Sequence, residues 1–236
     1  MDMHTAGYTQ RRGEIETYFD RTAVQAWARL TSDAPVGRIR ATVRAGRDRM
    51  RATLLGWLPG DLRGRRLLDA GCGTGALAVE AARRGAQVVA IDLSPTLVAL
   101  ARERLPGDLG TGSVELCAGD MLDPALGSFD HVVAMDSLIH YEAPDAVRAL
   151  TRLAERTRHS MAFTFAPRTP ALSAMHAVGR LFPRGDRAPA IVPLAEPQLA
   201  SLIAAEPVFA GWRHRDSQRI ASGFYTSQAH HWSRDA

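Results

Sequence analysis

Between residues 66 and 167, short apolar runs alternate with amphipathic segments. The apolar runs predict strands, and they read RLLDA, QVVAID, SVELCAGD, FDHVVAM and HSMAFTFAP. The amphipathic segments repeat apolar positions three and four residues apart and predict helices, at TGALAVEAARRG, SPTLVALARERL and APDAVRALTRLAERT. Such alternation is typical of a parallel sheet covered by helices on both faces. The pattern therefore predicts an α/β fold.

The segments outside this region follow other patterns. Apolar side chains at helical spacing predict a helix over residues 10 to 31 and a second one after SDAPVG. Residues 167 to 193 are rich in proline and arginine and predict an insertion after the fifth strand, before a further helix at AEPQLASLIAA. The last residues predict two long strands joined near Asp216 and Ser217. We therefore expect an antiparallel pair at the end of a mostly parallel sheet.

Composition places the chain among soluble globular proteins. It has 236 residues, of which 46% are apolar and 23% charged, as in one domain with elaborations. We divide it into an N-terminal helical arm, residues 1–58, and a sheet domain, residues 59–236. The first residues lack an apolar signal core and no apolar run is long enough to span a membrane. Cys72 and Cys117 have no metal or redox spacing, so the sequence predicts a cytoplasmic protein.

The net charge is +4, and its excess is concentrated in one segment. The stretch RIRATVRAGRDRMR carries its arginines against a single acid, Asp48. A solvated helix face is one interpretation, and a site for an anionic partner is the other: a membrane surface, a carboxylated substrate or nucleic acid. No aromatic-rich RNA-binding signature accompanies the stretch, so we expect no nucleic-acid partner.

The segment LLDAGCGTGALA carries the strongest motif of the chain. Glycines at 71, 73 and 75 let the backbone turn tightly from strand to helix and approach a ligand closely. Gly71, Gly73 and Ala76 also satisfy the dinucleotide pattern, with Asp92 about 20 residues further on. The glycines alone therefore leave open which nucleoside cofactor binds.

Acidic residues at strand ends decide between these cofactors. Asp69 precedes the glycines, where a carboxylate would repel a pyrophosphate but suits a cationic amino-acid ligand. A second acidic strand end, CAGDM, supplies Asp120 and Met121. With the C-terminal antiparallel pair, these residues resemble the class I S-adenosylmethionine-dependent methyltransferases, which implies their Rossmann-like fold with a seven-stranded sheet.

The resemblance implies a role for each motif. The glycine loop, with Asp69 and Cys72, faces the methionine end of the cofactor. Asp92 binds the ribose hydroxyls, Asp120 reads the adenine amino group and Met121 packs on the ring. The implied cofactor contacts are Asp69, Gly71, Cys72, Gly73, Gly75, Asp92, Leu93, Asp120, Met121 and Asp136.

Four further segments indicate the methyl acceptor: YFDRTAVQAWARL, DSLIHY, TFAPRTP and SGFYTSQ. Together they resemble the magnesium-protoporphyrin IX methyltransferase family over nearly the whole chain. Many members carry a proline after IHY, where this chain has Glu142. The resemblance implies methyl transfer from S-adenosylmethionine to one propionate of magnesium protoporphyrin IX in (bacterio)chlorophyll synthesis, giving the monomethyl ester and S-adenosylhomocysteine. It also implies a handoff from the porphyrin-carrying subunit of magnesium chelatase, and it leaves a peripheral contact with the photosynthetic membrane open.

The same resemblance assigns the acceptor side of the site. His140 and Tyr18 are the implied catalytic residues, beneath a lid formed by the N-terminal helices. The implied substrate contacts are Phe19, Trp27, Tyr141, Arg168, Met175, Phe182 and Arg184. For His140 three roles stay open: orienting the propionate by a hydrogen bond, ligating the substrate magnesium, or capping a neighbouring helix. The magnesium belongs to the substrate, so we expect no protein-bound metal.

The reaction itself makes few chemical demands. A propionic acid has a pKa of ~4.3 and is ionised at neutral pH, so no strong general base is needed. A carboxylate meets a cation and charge disappears, so positioning and removal of water from the nucleophile help most. Three rival functions stay open: methylation of another carboxylate or phenol, a porphyrin carrier without turnover, and a nicotinamide oxidoreductase.

Overall fold

Seven strands form one sheet in the computed structural model, which describes residues 3–21, 37–169 and 190–234. The strands are β1 (Arg66–Ala70), β2 (Gln87–Asp92), β3 (Ser113–Ala118), β4 (Phe129–Ala134), β5 (Thr157–Phe165), β6 (Trp212–Ser222) and β7 (Tyr225–Arg234). The helices of the described ranges are α1 (Met3–Arg21), α2 (Arg38–Gly56), α3 (Ala76–Arg83), α4 (Pro95–Glu103), α5 (Ala143–Ala154) and α6 (Glu196–Ala205).

The strand order is β3-β2-β1-β4-β5-β7-β6. The first five strands are parallel, and β7 runs antiparallel between β5 and β6. This arrangement confirms the predicted α/β fold with its C-terminal antiparallel pair. The order reverses between β1 and β4, so the loops after these strands diverge and leave a crevice at their carboxyl ends.

Apolar side chains cover the sheet on both faces. Strand β4 is buried at every position, as a strand between two helical layers must be. On one face α5 buries six side chains and lies against β5. On the other face α2 buries Met50, Leu54 and Leu55, and it lies against the C-terminal pair of strands. Helix α4 begins as predicted, because the Ser94 side chain accepts the N–H of Leu97.

The turn of the C-terminal hairpin was predicted near Asp216 and Ser217, and this prediction is wrong. Strand β6 runs on to Ser222, and the turn lies at Gly223 and Phe224. Gly223 has a φ of 59°, which a glycine adopts without steric cost. Asp216 and Ser217 instead lie in an exposed edge strand, at a register shift, where polar residues resemble a turn in sequence.

The N-terminal helix begins earlier than predicted. It starts at Met3 rather than near residue 10 and is described as far as Arg21. Residues 22–36 and 170–189 lie outside the described part, and with them the predicted contacts Trp27, Met175, Phe182 and Arg184. Of the helices in the described ranges, none is both long and apolar enough to cross a membrane.

Buried histidines lie within the sheet on β4 and β7. His131 Nδ1 is 2.7 Å from Ser160 Oγ, and His230 Nε2 is 3.0 Å from a carboxylate oxygen of Glu196. Burial, which disfavours the charged ring, lowers the pKa of both imidazoles to about 4. The ring of His159, whose centroid lies 5.7 Å from that of His131, lowers the pKa of His131 further.

These histidines make the fold sensitive to acid. Because both folded pKa values lie below the ordinary value of 6.5, the unfolded chain binds more protons between pH 6.5 and 4. The contribution of the neutral rings to stability is complete above pH 6.5 and is lost as the pH falls toward 4.

We therefore expect His131→Gln to flatten the loss of stability on acidification. The change removes up to one proton of uptake, or at most about 1.4 kcal/mol of unfolding free energy per pH unit. Urea unfolding at several pH values between 4.5 and 7.5 measures this slope. His230→Gln, at the other buried histidine, should flatten the slope in the same way. Equal slopes for His131→Gln and wild type would contradict the assignment.

Candidate functional site

A cleft of roughly 700 Å³ opens at the carboxyl ends of the parallel strands. Its walls come from the segments that follow β1, β2, β3 and β4, and from helices α1 and α2. It therefore occupies the crevice that the reversal of strand order creates, where ligands bind in sheets of this kind.

The glycine loop forms the floor of the cleft after β1. Gly71, Gly73 and Gly75 have φ values of 89°, 54° and 80°, which ordinary residues rarely adopt. A Cβ on Gly71 would collide with the side chain of Ser137 in the loop after β4. Gly71 and Gly73 line the cleft, whereas Cys72 and Gly75 support the loop outside its lining.

Asp92 ends β2 and lines the cleft. Its Oδ2 accepts the N–H of Gly73 at 2.8 Å, and its Oδ1 accepts the N–H of Ser94 at 3.0 Å. Burial raises the pKa of this carboxyl above its ordinary value. Asp92 therefore holds the glycine loop in place and presents acceptor oxygens to the cleft. Leu93 follows it in the wall.

Asp69 lies deeper than the sequence predicts. Its side chain is 1% exposed, does not line the cleft, and its Oδ2 has no hydrogen-bond partner among the described residues. Burial and the nearby charge of Asp92 raise its pKa to about 7. Two acids behind one glycine loop create a negative potential, which suits a cationic ligand.

Asp120 follows β3 and is held by residues that the sequence analysis did not identify. Its carboxylate accepts Tyr8 Oη at 2.9 Å, Arg12 Nη1 at 2.7 Å and the N–H of Leu122 at 2.9 Å. The ring of Tyr8 also stacks on Tyr141, with 5.2 Å between centroids. Burial raises the pKa of the Tyr8 hydroxyl, so this group remains a donor. This end of the cleft is therefore covered by α1.

Helix α1 is attached to the sheet domain at its other end as well. Asp20 accepts the N–H of Thr96 at 3.2 Å, at the beginning of α4. Between the two attachments, Ile15 lines the cleft. Tyr18, the predicted catalytic residue of this helix, does not line the cleft, and the side chain of Phe19 lies outside the described part.

The carboxylate of Asp136 accepts hydrogen bonds from side chains of three elements, α2, β5 and β7. The residue has a φ of 57°, in the left-handed region that a residue other than glycine seldom occupies. Its carboxylate pairs with Arg47 of α2 and accepts Tyr225 Oη at 3.1 Å, Ser227 Oγ at 3.3 Å and Thr164 Oγ1 at 3.2 Å. Asp136 and Arg47 both line the cleft, and this role for one arginine of the basic segment was not predicted.

His140 and Tyr141 reach the cleft as the sequence predicts. Nδ1 of His140 lies 3.3 Å from the carbonyl oxygen of Ala190, near the end of the insertion. A carbonyl can only accept, so Nδ1 carries the hydrogen of this contact, and Nε2 of the neutral ring is the remaining acceptor. The contact thus fixes the ring orientation and connects the insertion to the site.

The remaining arginines divide between internal pairs and solvent. Arg51 pairs with Glu80, which leaves the basic helix partly neutralised. Arg38 and Arg40 are exposed. Arg168, a predicted substrate contact, is exposed at the start of the insertion and does not line the cleft. Among the described residues no group of three metal-ligating side chains comes together.

The residues of the cleft fit the implied cofactor. The glycine loop gives the close backbone approach, and Asp92 offers acceptors for hydroxyl groups. The unpartnered Oδ2 of Asp69 contributes negative charge on the side where a sulfonium and an ammonium group would lie. Asp120 and Met121 line the opposite end, beside β3.

Comparison with known proteins assigns the family. A model described as the magnesium-protoporphyrin IX methyltransferase C-terminus matches residues 134–234, and a general methyltransferase-domain model matches residues 67–160. A magnesium-protoporphyrin O-methyltransferase of Rhodobacter capsulatus is 52% identical over 94% of this chain and 96% of its own length. The corresponding protein of Synechocystis is 30% identical over 72% of this chain and 74% of its own.

A solved structure supports the same assignment. The magnesium protoporphyrin IX methyltransferase of Synechocystis with bound S-adenosylhomocysteine superposes with a TM-score of 0.81, at 26% identity, over 94% of this chain and 99% of that one. Fold, cleft and sequence therefore agree, and the chain belongs to the magnesium-protoporphyrin IX methyltransferase family.

Proposed function

We propose that this protein transfers the methyl group of S-adenosylmethionine to a propionate carboxylate of magnesium protoporphyrin IX, giving the monomethyl ester. The observation that carries the proposal is the 52% identity to a magnesium-protoporphyrin O-methyltransferase over nearly the whole of both chains. The cleft supports it, because acceptor groups suited to a cationic nucleoside lie along one edge of the sheet.

The residues of that edge divide the binding of the cofactor. Asp92 holds the ribose hydroxyls, while Asp120 and Met121 receive the adenine ring. Asp120 can do so while it is held by α1, since a carboxylate has about four lone-pair sites and three donors occupy it here. Gly71 and Gly73 bring the backbone close to the methionine portion.

The bound cofactor supplies an electrophilic methyl group on a cationic sulfur. The protein has to exclude water and to align the carboxylate with that methyl group, because an ionised propionate needs no base. Ile15, Met135 and Tyr141 give the cleft apolar walls, and a carboxylate stripped of water is the stronger nucleophile.

His140 is the residue that we assign to orienting the acceptor. It follows β4, lines the cleft and is fixed through Nδ1. Because Nδ1 is engaged, a contact with a propionate oxygen involves Nε2, which donates a hydrogen bond when the ring is protonated. Tyr18 lies on α1 outside the cleft lining, and we propose for it a secondary role on the lid.

Mass analysis tests the proposed reaction. The protein is incubated with S-adenosylmethionine and magnesium protoporphyrin IX, and the porphyrin should gain one methyl group as an ester. Porphyrin that binds and quenches tryptophan fluorescence without gaining mass would indicate a carrier. Methylation of a phenol or another carboxylate, with none of the porphyrin, would indicate the rival methyltransferase, and binding of NAD would indicate the oxidoreductase.

We expect His140→Ala to lower turnover by roughly two to three powers of ten, since one positioned donor contributes ~2–4 kcal/mol to the transition state. The affinity for S-adenosylhomocysteine should change little. Steady-state kinetics and calorimetry measure the two effects, and His159→Ala, at an exposed ring on β5, is the control.

A comparison of porphyrins separates the roles of His140. If it orients the propionate, wild type binds metal-free protoporphyrin about as well as the magnesium form. If it ligates the magnesium, the metal-free porphyrin binds poorly, and His140→Ala changes the absorption of the bound substrate. Full activity of His140→Ala would leave the loop with a structural role only.

For the cofactor, we expect Asp92→Asn to weaken S-adenosylhomocysteine binding by about 10- to 100-fold, because charge-assisted hydrogen bonds of ~1.5–3 kcal/mol are lost. The amide keeps the shape of the side chain but only one acceptor oxygen for the Gly73 and Ser94 N–H groups. Calorimetry gives the affinity, and Asp61→Asn, at an exposed acid, is the control. An unchanged affinity would remove Asp92 from the site.

Two partners are further proposals: the chelatase subunit that the resemblance implies, and a membrane surface, one of the anionic partners left open for the basic segment. A peripheral contact with an anionic membrane has support in the exposed Ile39 and Phe224, which are 60% and 74% accessible. A Cβ on Gly223, before Phe224, would meet Thr42, one turn after Ile39, so the two side chains belong to one edge of the molecule. Arg38 and Arg40 flank Ile39 and add positive charge.

This contact predicts that Phe224→Ser reduces co-sedimentation with vesicles containing phosphatidylserine, because the substitution removes the apolar side chain while leaving the arginines in place. Leu202→Ser, at an exposed residue of α6, should sediment like wild type. Equal sedimentation of both variants and wild type would contradict a membrane contact at this edge.

A further inference from the structure

A group of basic side chains lies at the amino ends of the parallel strands, at the end of the sheet opposite to the cleft. Arg65 precedes β1, and Arg158 and His159 lie at the start of β5. Strand β4 lies between these two strands and contributes the carboxylate of Asp130, whose side chain is 8% exposed. The group therefore draws its members from three neighbouring strands, and none of these residues lines the cleft.

The three basic side chains surround one carboxylate oxygen. Oδ1 of Asp130 lies 3.9 Å from Nη1 of Arg65 and 3.7 Å from Nη1 of Arg158. Nε2 of His159 lies 3.5 Å from the same oxygen and 3.3 Å from Nη1 of Arg65. Charge-assisted hydrogen bonds between nitrogen and oxygen are shorter, at about 2.7–2.9 Å. Asp130 therefore attracts the two guanidinium groups without occupying their donors.

The charge of this group is unbalanced. Two guanidinium groups, which stay protonated in proteins, face a single carboxylate. The side chains of Arg65, Arg158 and His159 are 48%, 66% and 47% exposed, so a ligand in solution has access to their N–H donors. Positive charges that lie close together repel one another, and an added anion removes this repulsion. The arrangement is therefore suited to binding an anion.

The donors match a phosphate group. A guanidinium presents its N–H groups in a planar fork that pairs with two phosphate oxygens, and a protonated imidazole donates to a further oxygen. Two forks and a ring thus offer donors to the three or four oxygens of a phosphate, whereas the two oxygens of a carboxylate would occupy one fork. The buried carboxylate of Asp130 holds the side chains together before a ligand arrives, which lowers the cost of ordering them.

We propose that Arg65, Arg158 and His159 form a binding site for a soluble phosphate compound, with Asp130 as the residue that positions them. The site is separate from the proposed methyl transfer, because the cleft opens at the other end of the strands.

The position of the site separates it from the membrane contact proposed above. Strands β5 and β6 both run antiparallel to β7 and are therefore parallel to each other. The turn at Gly223 and Phe224 follows β6, so it lies at the carboxyl ends of the parallel strands. A flat membrane that touches Phe224 does not reach the amino ends, and the phosphate is therefore that of a soluble compound.

Calorimetric titration with inorganic pyrophosphate at constant ionic strength tests this site. Wild type should bind pyrophosphate saturably, and Arg158→Met and Arg65→Met should each weaken the affinity about 10-fold or more, because charge-assisted hydrogen bonds are lost. Arg63→Met is the matched control, since Arg63 is an exposed arginine of the same segment that pairs with Asp61. It should bind pyrophosphate like wild type. All three variants should keep wild-type methyl transfer, which shows that they fold.

Three results would overturn the proposal: no saturable binding to wild type, unchanged affinity in both Arg158→Met and Arg65→Met, or an equal loss in Arg63→Met, which would indicate an effect of net charge alone. Co-sedimentation with vesicles containing phosphatidic acid identifies the source of the phosphate. Arg158→Met should sediment like wild type if the ligand is soluble. Reduced sedimentation of Arg158→Met but not of Arg63→Met would assign the site to a lipid headgroup and contradict the assignment to a soluble compound.

Discussion

The carboxylate of Asp136 is the interaction on which the cleft depends. It joins the loop after β4 to Arg47 of α2, to Thr164 of β5 and to Tyr225 of β7. Its left-handed backbone conformation costs on the order of 1–3 kcal/mol and is maintained by these hydrogen bonds. Through this one group, the helical arm, the parallel sheet and the antiparallel strands together define the wall of the cleft.

The order of the side chains along the carboxyl ends of the strands determines what each part of the cleft can bind. Asp92 ends β2, Asp120 follows β3, a glycine-rich loop follows β1, and His140 follows β4. In the proposed function, a cationic nucleoside is stabilised at one end of the cleft and the acceptor approaches at the other. Since a propionate is already ionised, the protein does not have to supply a base. It has to align the carboxylate with the methyl group and to exclude water. The contact between His140 and Ala190 brings the insertion into this arrangement.

Local sequence signals were sufficient for much of this structure. The alternating pattern gave β1 and β2 to the residue, and Ser94 and Pro95 marked the start of α4. These features depend on neighbouring residues and on apolar periodicity. The glycine loop with Asp92 was equally visible, because its spacing reflects one continuous strand, turn and helix.

Other parts depend on contacts that sequence spacing does not encode. Tyr8 and Arg12 reach Asp120 from more than 100 positions away. The packing of α2 on β7 determines which arginine of the basic segment enters the cleft, and sequence spacing does not show this packing. The hairpin turn was misplaced because the exposed edge strand β6 is as polar as a turn.

The account is tested most directly by a crystal structure with S-adenosylhomocysteine and magnesium protoporphyrin IX bound together. It predicts one propionate oxygen in line with the cofactor sulfur, beside His140, with the adenine at Asp120. A porphyrin bound with both propionates directed away from the sulfur, or a cofactor in the reverse orientation, would contradict it.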